Sequence, residues 1–90
     1  MRYSARLSNS FDNTWELYIV SDRLSVDWPE LTFNRVGPVP TPYERNAAVA
    51  TLGYEIVDGT QWQWQELVNG PMDRVELLAA VDVRPIGGAA

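Results

Sequence analysis

TPYERNAAVATLG, residues 41–53, decides how the rest of the chain must be read. Thr41 is followed three residues later by Glu44, the spacing of a capping box, and Pro42 holds the first helical position. The threonine hydroxyl takes one orphan backbone N–H while the glutamate reaches back for another, an arrangement that contributes about 1 kcal/mol. Gly53 tolerates the left-handed conformation that ends a helix. The segment therefore predicts a helix from Pro42 to about Leu52. At helical spacing Tyr43, Ala47 and Ala50 share a stripe, widened by Ala48, Val49 and Leu52. Alanines let a helix axis come close to a sheet. The preceding GPVP reads as a rigid lead-in, its polyproline-like rhythm notwithstanding.

On both sides of this helix the pattern changes to period two, the signature of half-buried strands. In RYSARLS, 2–8, Tyr3, Ala5 and Leu7 oppose Arg2, Ser4, Arg6 and Ser8. After a polar NSFDN link, TWELYIV, 14–20, sets Trp15, Leu17 and Ile19 against Glu16, Tyr18 and Val20, so the two runs read as a hairpin. SDRLSVDWP, 21–29, is a loop laying Trp28 over a core edge. ELTFNRV, 30–36, is a third strand with Leu31 and Phe33 inward. Beyond the helix come YEIV, 54–57, an Asp58-Gly59 turn, and QWQWQELV, 61–68. RVELLAAVDVRP, 74–85, alternates longest, with Val75, Leu77, Ala79, Val81 and Val83 on one face. The order is β-β-β-α-β-β-β. One helix covers only one side of such a sheet, which implies an α+β domain: an antiparallel sheet of five or six strands with a single helix packed on one face. The domain is expected over 1–85, with 86–90 a flexible tail.

Composition closes most routes to chemistry. Histidine and cysteine are absent and all seven basic residues are arginine, which removes the common general base, the activated-nucleophile pairs, the Schiff-base lysine and the thiolate metal site. No catalytic residue, cofactor or metal is expected. The serines have no base beside them. Asp12, Asp22, Asp27 and Glu30 lack calcium-loop spacing. Glu55, Asp58 and Glu66 could pair for glycoside chemistry only if the fold set their separation. Arg35 and Arg45 could grip an anion, against the plainer reading of surface ion pairs. A net charge of −5 disfavours direct nucleic-acid binding. No apolar run is long enough for a membrane span, and the first residues do not form a signal-peptide core. A cytoplasmic protein is the expectation.

The Trp62–Trp64 strip admits two readings. Both indoles can fill a core, each large apolar ring stabilising by roughly 1.5–3 kcal/mol, with the glutamines in solvent. Alternatively they stand outside as a stacking platform. Core filling is the expectation, with Trp64 buried and Trp62 at the margin.

The motifs W-E-L-Y, W-P, E-R-x-x-A-x-x-x-L-G-Y and W-x-W, ending near V-R-P, span Trp15 to Pro85. In this order they resemble a family of short actinomycete (Streptomyces-type) proteins. The resemblance implies a fold and carries no activity, cofactor or site residue. Together these readings point to a small acidic, non-enzymatic protein-interaction module with an unidentified protein partner, self-association into a homodimer being one form. Its expected contact residues are Tyr18, Gln61, Trp62, Gln63 and Gln65. Two alternatives differ in kind: a phage or mobile-element inhibitor that mimics nucleic acid, and a small-ligand binder using exposed Trp62 and Trp64.

Overall fold

Alternation along the chain becomes a single antiparallel sheet. A computed structural model describes residues 2–11, 14–22, 27–69 and 74–87. The strands are β1 (Tyr3–Phe11), β2 (Thr14–Val20), β3 (Glu30–Thr32), β4 (Tyr54–Ile56), β5 (Gln63–Asn69) and β6 (Arg74–Pro85), with helix α1 (Pro42–Thr51) between β3 and β4. The architecture is α+β, in the order β-β-β-α-β-β-β. Among the described residues no helix is long and apolar enough to cross a membrane.

The sheet order is β3-β2-β1-β6-β4, and β5 also pairs with β6. β4 and β5 lie end to end along one edge of β6: Ile56 faces Val83, and Gln63 faces Ala80. Six residues, 57–62, thus lie opposite only Val81 and Asp82. The Asp58-Gly59 turn forms, with Gly59 at φ 83°, and Thr60 N–H donates to Val57 O at 3.1 Å. It does not fold β5 back on β4. It makes an excursion after which the chain continues along the same edge.

Registry keeps the apolar rows together. Ala5 faces Ile19 and Val81, and Leu7 faces Leu17 and Ala79. These six side chains, with Trp15, Val83, Ala48 and Val49, form the buried core. Each directly opposed pair shares one face of the sheet, so a one-residue slip would turn a whole row to solvent.

The capping box of α1 is complete. Glu44 N–H donates to Thr41 Oγ1 at 3.1 Å, and Thr41 N–H donates to Glu44 Oε1 at 2.9 Å. Gly53 follows the helix at φ 92°. The inward stripe differs from the sequence expectation. Tyr43 is 83% exposed and Ala47 and Ala50 are also outside, while Arg45, Ala48 and Val49 are buried and Leu52 is half-buried. Ala48, Val49 and Leu52, the expected widening of the stripe, do face inward, and with Arg45 they complete an i, i+3, i+4, i+7 stripe rotated away from Tyr43, Ala47 and Ala50. The arginine concealed it, because its charge reads as solvent-facing.

Other departures are local. β1 runs three residues beyond the expected strand. β3 is shorter than expected, since Asn34 takes φ 54°, although Phe33 N–H still donates to Trp15 O at 2.9 Å. Trp28 does not cover the core edge. It stacks on Tyr18 on the face away from the helix, with ring centroids 6.3 Å apart and planes 5° from parallel. At the C-terminal end Ile86 N–H donates to Gly53 O at 3.0 Å, and the last part of the expected tail, 88–90, lies outside the described residues.

Candidate functional site

Trp62, immediately before β5, and Trp64, on it, lie on the helix side, where they meet Arg45. The guanidinium carbon lies 5.3 Å from the Trp62 ring centroid and 5.5 Å from that of Trp64. Arg45 is 8% exposed. Its Nη1 donates to Pro40 O at 2.8 Å, whereas Nε is buried without a hydrogen-bond partner. Burial holds its pKa below the ordinary arginine value. A weakly hydrated planar cation against two π-faces is a favourable way to place a charge here.

The indoles are neither core nor open platform. Trp62 is half-buried and its Nε1 donates to Asn46 Oδ1 at 3.4 Å. Trp64 is 44% exposed and meets Trp15 edge-on, centroids 6.4 Å apart at 77°. Trp62 thus sits at the margin as expected, whereas Trp64 is exposed and not buried. β5 is the outer strand, so Trp64 has protein beside it on one side only. Trp62, at the mouth of the excursion, is caught by Asn46. A base or sugar could enter between the rings only by displacing Arg45.

The opposite face carries the glutamines. Gln63 faces Ala80 and Gln65 faces Leu78; both are exposed, as is Gln61. Tyr18 shares this face but sits on β2, three strand spacings from β5, or about 14 Å. Burial raises its pKa, with Arg6 lowering it and Glu16 raising it further. Of the five expected contact residues, the structure groups Gln61, Gln63 and Gln65. It puts Tyr18 at a distance and Trp62 on the other face.

The remaining candidates disperse. Glu55 bonds Arg84 at 3.2 Å on the glutamine face, whereas Glu66 faces Leu77 on the helix side and Asp58 stands in the turn. They form no carboxylate pair. Arg35 is held by Glu44 in a bidentate pair at 2.9 and 2.7 Å and donates to Pro38 O at 3.0 Å; Arg45 is between the indoles. Neither faces a common anion site. Asp12 lies outside the described residues, and among those described no cluster of three His, Cys, Asp or Glu could hold a metal.

Two open features adjoin the Trp62–Trp64 strip. The excursion is flanked on the helix side by a shallow groove of about 440 Å³ between Asn46, Ile56 and Trp62. Beyond it, no strand among those described pairs with the outer edge of β5. Trp64, Leu67 and Val68 are 44%, 41% and 68% exposed along that edge, and Val75 on β6, opposite Val68, is 49% exposed. The arginine–indole stack and the excursion both escaped sequence reasoning. The first was legible only in the rotated helical stripe; the second had no signal beyond Asp58-Gly59.

A one-helix antiparallel α+β domain with an open, apolar-flanked strand edge is thus the class of protein defined here. The chain belongs to a family of unknown function, DUF6303, whose model matches residues 1–90. No curated protein and no solved structure matches it.

Proposed function

We propose that this is a small acidic, non-enzymatic protein-interaction module, working in the cytoplasm, that receives an extended strand of a protein partner on β5. The observation that carries this is a seven-residue edge with which no described strand pairs, with Trp64, Leu67 and Val68 exposed along it and Val75 exposed beside Val68 on β6. Backbone N–H and C=O groups along such an edge supply affinity, and the flanking side chains supply selectivity. Gln61, Gln63, Gln65 and Trp62 line the approach; Tyr18 belongs to a separate patch. The absence of His, Cys and Lys from the chain, with the carboxylates dispersed, supports the non-enzymatic part.

Hydrogen exchange tests it. The outward amides of β5 should exchange fast in the isolated protein and become protected when the partner binds, and Val68→Lys should lower that protection. Protection confined to other elements, with β5 unchanged in every complex, overturns the reading.

A second reading has the helix-side groove in its favour: a small-ligand site walled by Trp62 and Asn46. Ligand-dependent quenching of tryptophan emission, lost in Asn46→Ala, would favour it. The nucleic-acid-mimic reading draws less support: Glu16, Glu30, Glu55, Glu76 and Asp82 share the glutamine face, but Arg2 pairs with Asp82 and Arg84 with Glu55 there.

A further inference from the structure

We infer that the strand received by β5 is β5 of a second copy, antiparallel across a two-fold axis at Gln65, so that two sheets join edge to edge. This rests on the interaction-module reading and specifies its partner.

The two edges of the sheet are treated differently. β3 is three residues long, preceded by Pro29, which has no N–H, and followed by Asn34 at φ 54°. Short length, proline and irregular backbone protect an edge from unwanted pairing. β5 has none of these devices. It is seven residues long, contains no Pro, Lys or Arg, and its register with β6 is unbroken from Gln63 to Asn69. Exposed apolar side chains flank it on both faces: Trp64 and Val68 on the helix side, Leu67 on the other.

Its sequence is also self-complementary, as an isologous contact requires. In a two-fold antiparallel pair one residue faces itself, and opposed side chains share a face. With Gln65 on the axis, amide meets amide, each able to donate and accept. Gln63 then faces Leu67, and Trp64 faces Glu66. The strand's one charge meets an indole of the second copy. A shift of one residue would set Glu66 against Glu66, like charges directly opposed, which is unfavourable. A basic partner strand would find only this one carboxylate on β5. A nearly neutral strip suits a nearly neutral strand, and a second copy supplies one. Edge pairing alone falls below the roughly 1,200–2,000 Å² of a standard interface, so the dimer should be reversible, with a Kd on the order of micromolar.

The chain contains no cysteine, so single thiols report the register cleanly. In Gln65→Cys, mild oxidation should give a covalent dimer about tenfold faster than in Tyr43→Cys, an exposed control on α1. Mixing Gln63→Cys with Leu67→Cys should favour the mixed dimer over either homodimer, which also covers a poorly folded Gln65→Cys. Sedimentation of the unmodified chain should show a concentration-dependent dimer. A monomer throughout the micromolar range and above, with cross-linking no faster than the control, overturns self-pairing. If β5 amides are then protected by a different protein, the module reading survives; if nothing protects them, both fail.

Discussion

Arg45 makes the contact that residue-level intuition misses. An arginine 8% exposed on the inward stripe of a helix reads as an error until both indoles are seen around it. The flat guanidinium fills the gap between Trp62 and Trp64 and joins β5 to the helix, while its Pro40 bond steadies the chain entering α1. The burden is a buried Nε with no acceptor. Packing and charge can be separated by substitution. Arg45→Ala should cost about 2–4 kcal/mol in urea unfolding, through lost stacking and a cavity. Arg45→Leu should cost less, because it fills space without a desolvated cation. A red shift of tryptophan emission in Arg45→Ala but not Arg45→Leu would confirm that the side chain shields the rings. Equal costs for the two would remove the packing argument.

The helix start links two elements through one carboxylate. Glu44 caps its own helix and also receives Arg35 from the segment after β3. The hydrogen bonds from Arg35, then that from Thr41, pull its pKa from the ordinary 4.5 down to about 2. A depressed folded-state pKa means stability that is fully present above the unfolded value and lost as pH falls toward the folded one. Thermal unfolding followed by circular dichroism should therefore show Tm falling between about pH 4.5 and about pH 2. Glu44→Gln should begin less stable at neutral pH and show a flatter profile in that window. Glu16 acts in the opposite direction: burial and then Glu30 raise its pKa, so its protonation on acidification favours the fold. The slope in Glu44→Gln should reflect that residual contribution. Identical profiles for wild type and Glu44→Gln would show that the bridge carries none of the acid sensitivity.

At the scale of the molecule, one strand sets the long dimension. β6, at twelve residues, spans about 40 Å when extended, close to the 45 Å longest extent. β1 pairs with it only as far as Ser8 opposite Leu78, and Leu77 N–H turns instead to Asn9 Oδ1 at 2.9 Å. Beyond that point β5 and β6 continue as a two-stranded arm, which leaves Val68 and Val75 facing water. An exposed apolar arm on a small domain is an association liability as well as a contact surface. Val75→Lys, one strand in from the β5 edge, should reduce nonspecific aggregation measured by light scattering. It should leave Tm nearly unchanged, because a half-exposed valine contributes little to the core. A large fall in Tm would mean that the arm is packed more tightly than its exposure indicates.

Local physics carried much of this architecture from residues alone. A capping box and a following glycine placed α1; alternation placed β2 and β6 to the residue and the apolar rows of Ala5–Leu7, Leu17–Ile19 and Ala79–Val83 on one side. The absence of histidine, cysteine and lysine is a property of the sequence itself. Contacts between distant segments were not legible. Which helical stripe faces inward depended on two indoles that lie more than fifteen residues beyond Arg45. The end-to-end placement of β4 and β5 depended on the length of β6. The exposure of Trp64 depended on no described strand pairing with the outer side of β5. Periodicity reports which side chains share a face of one element, whereas only packing in three dimensions decides what that face meets.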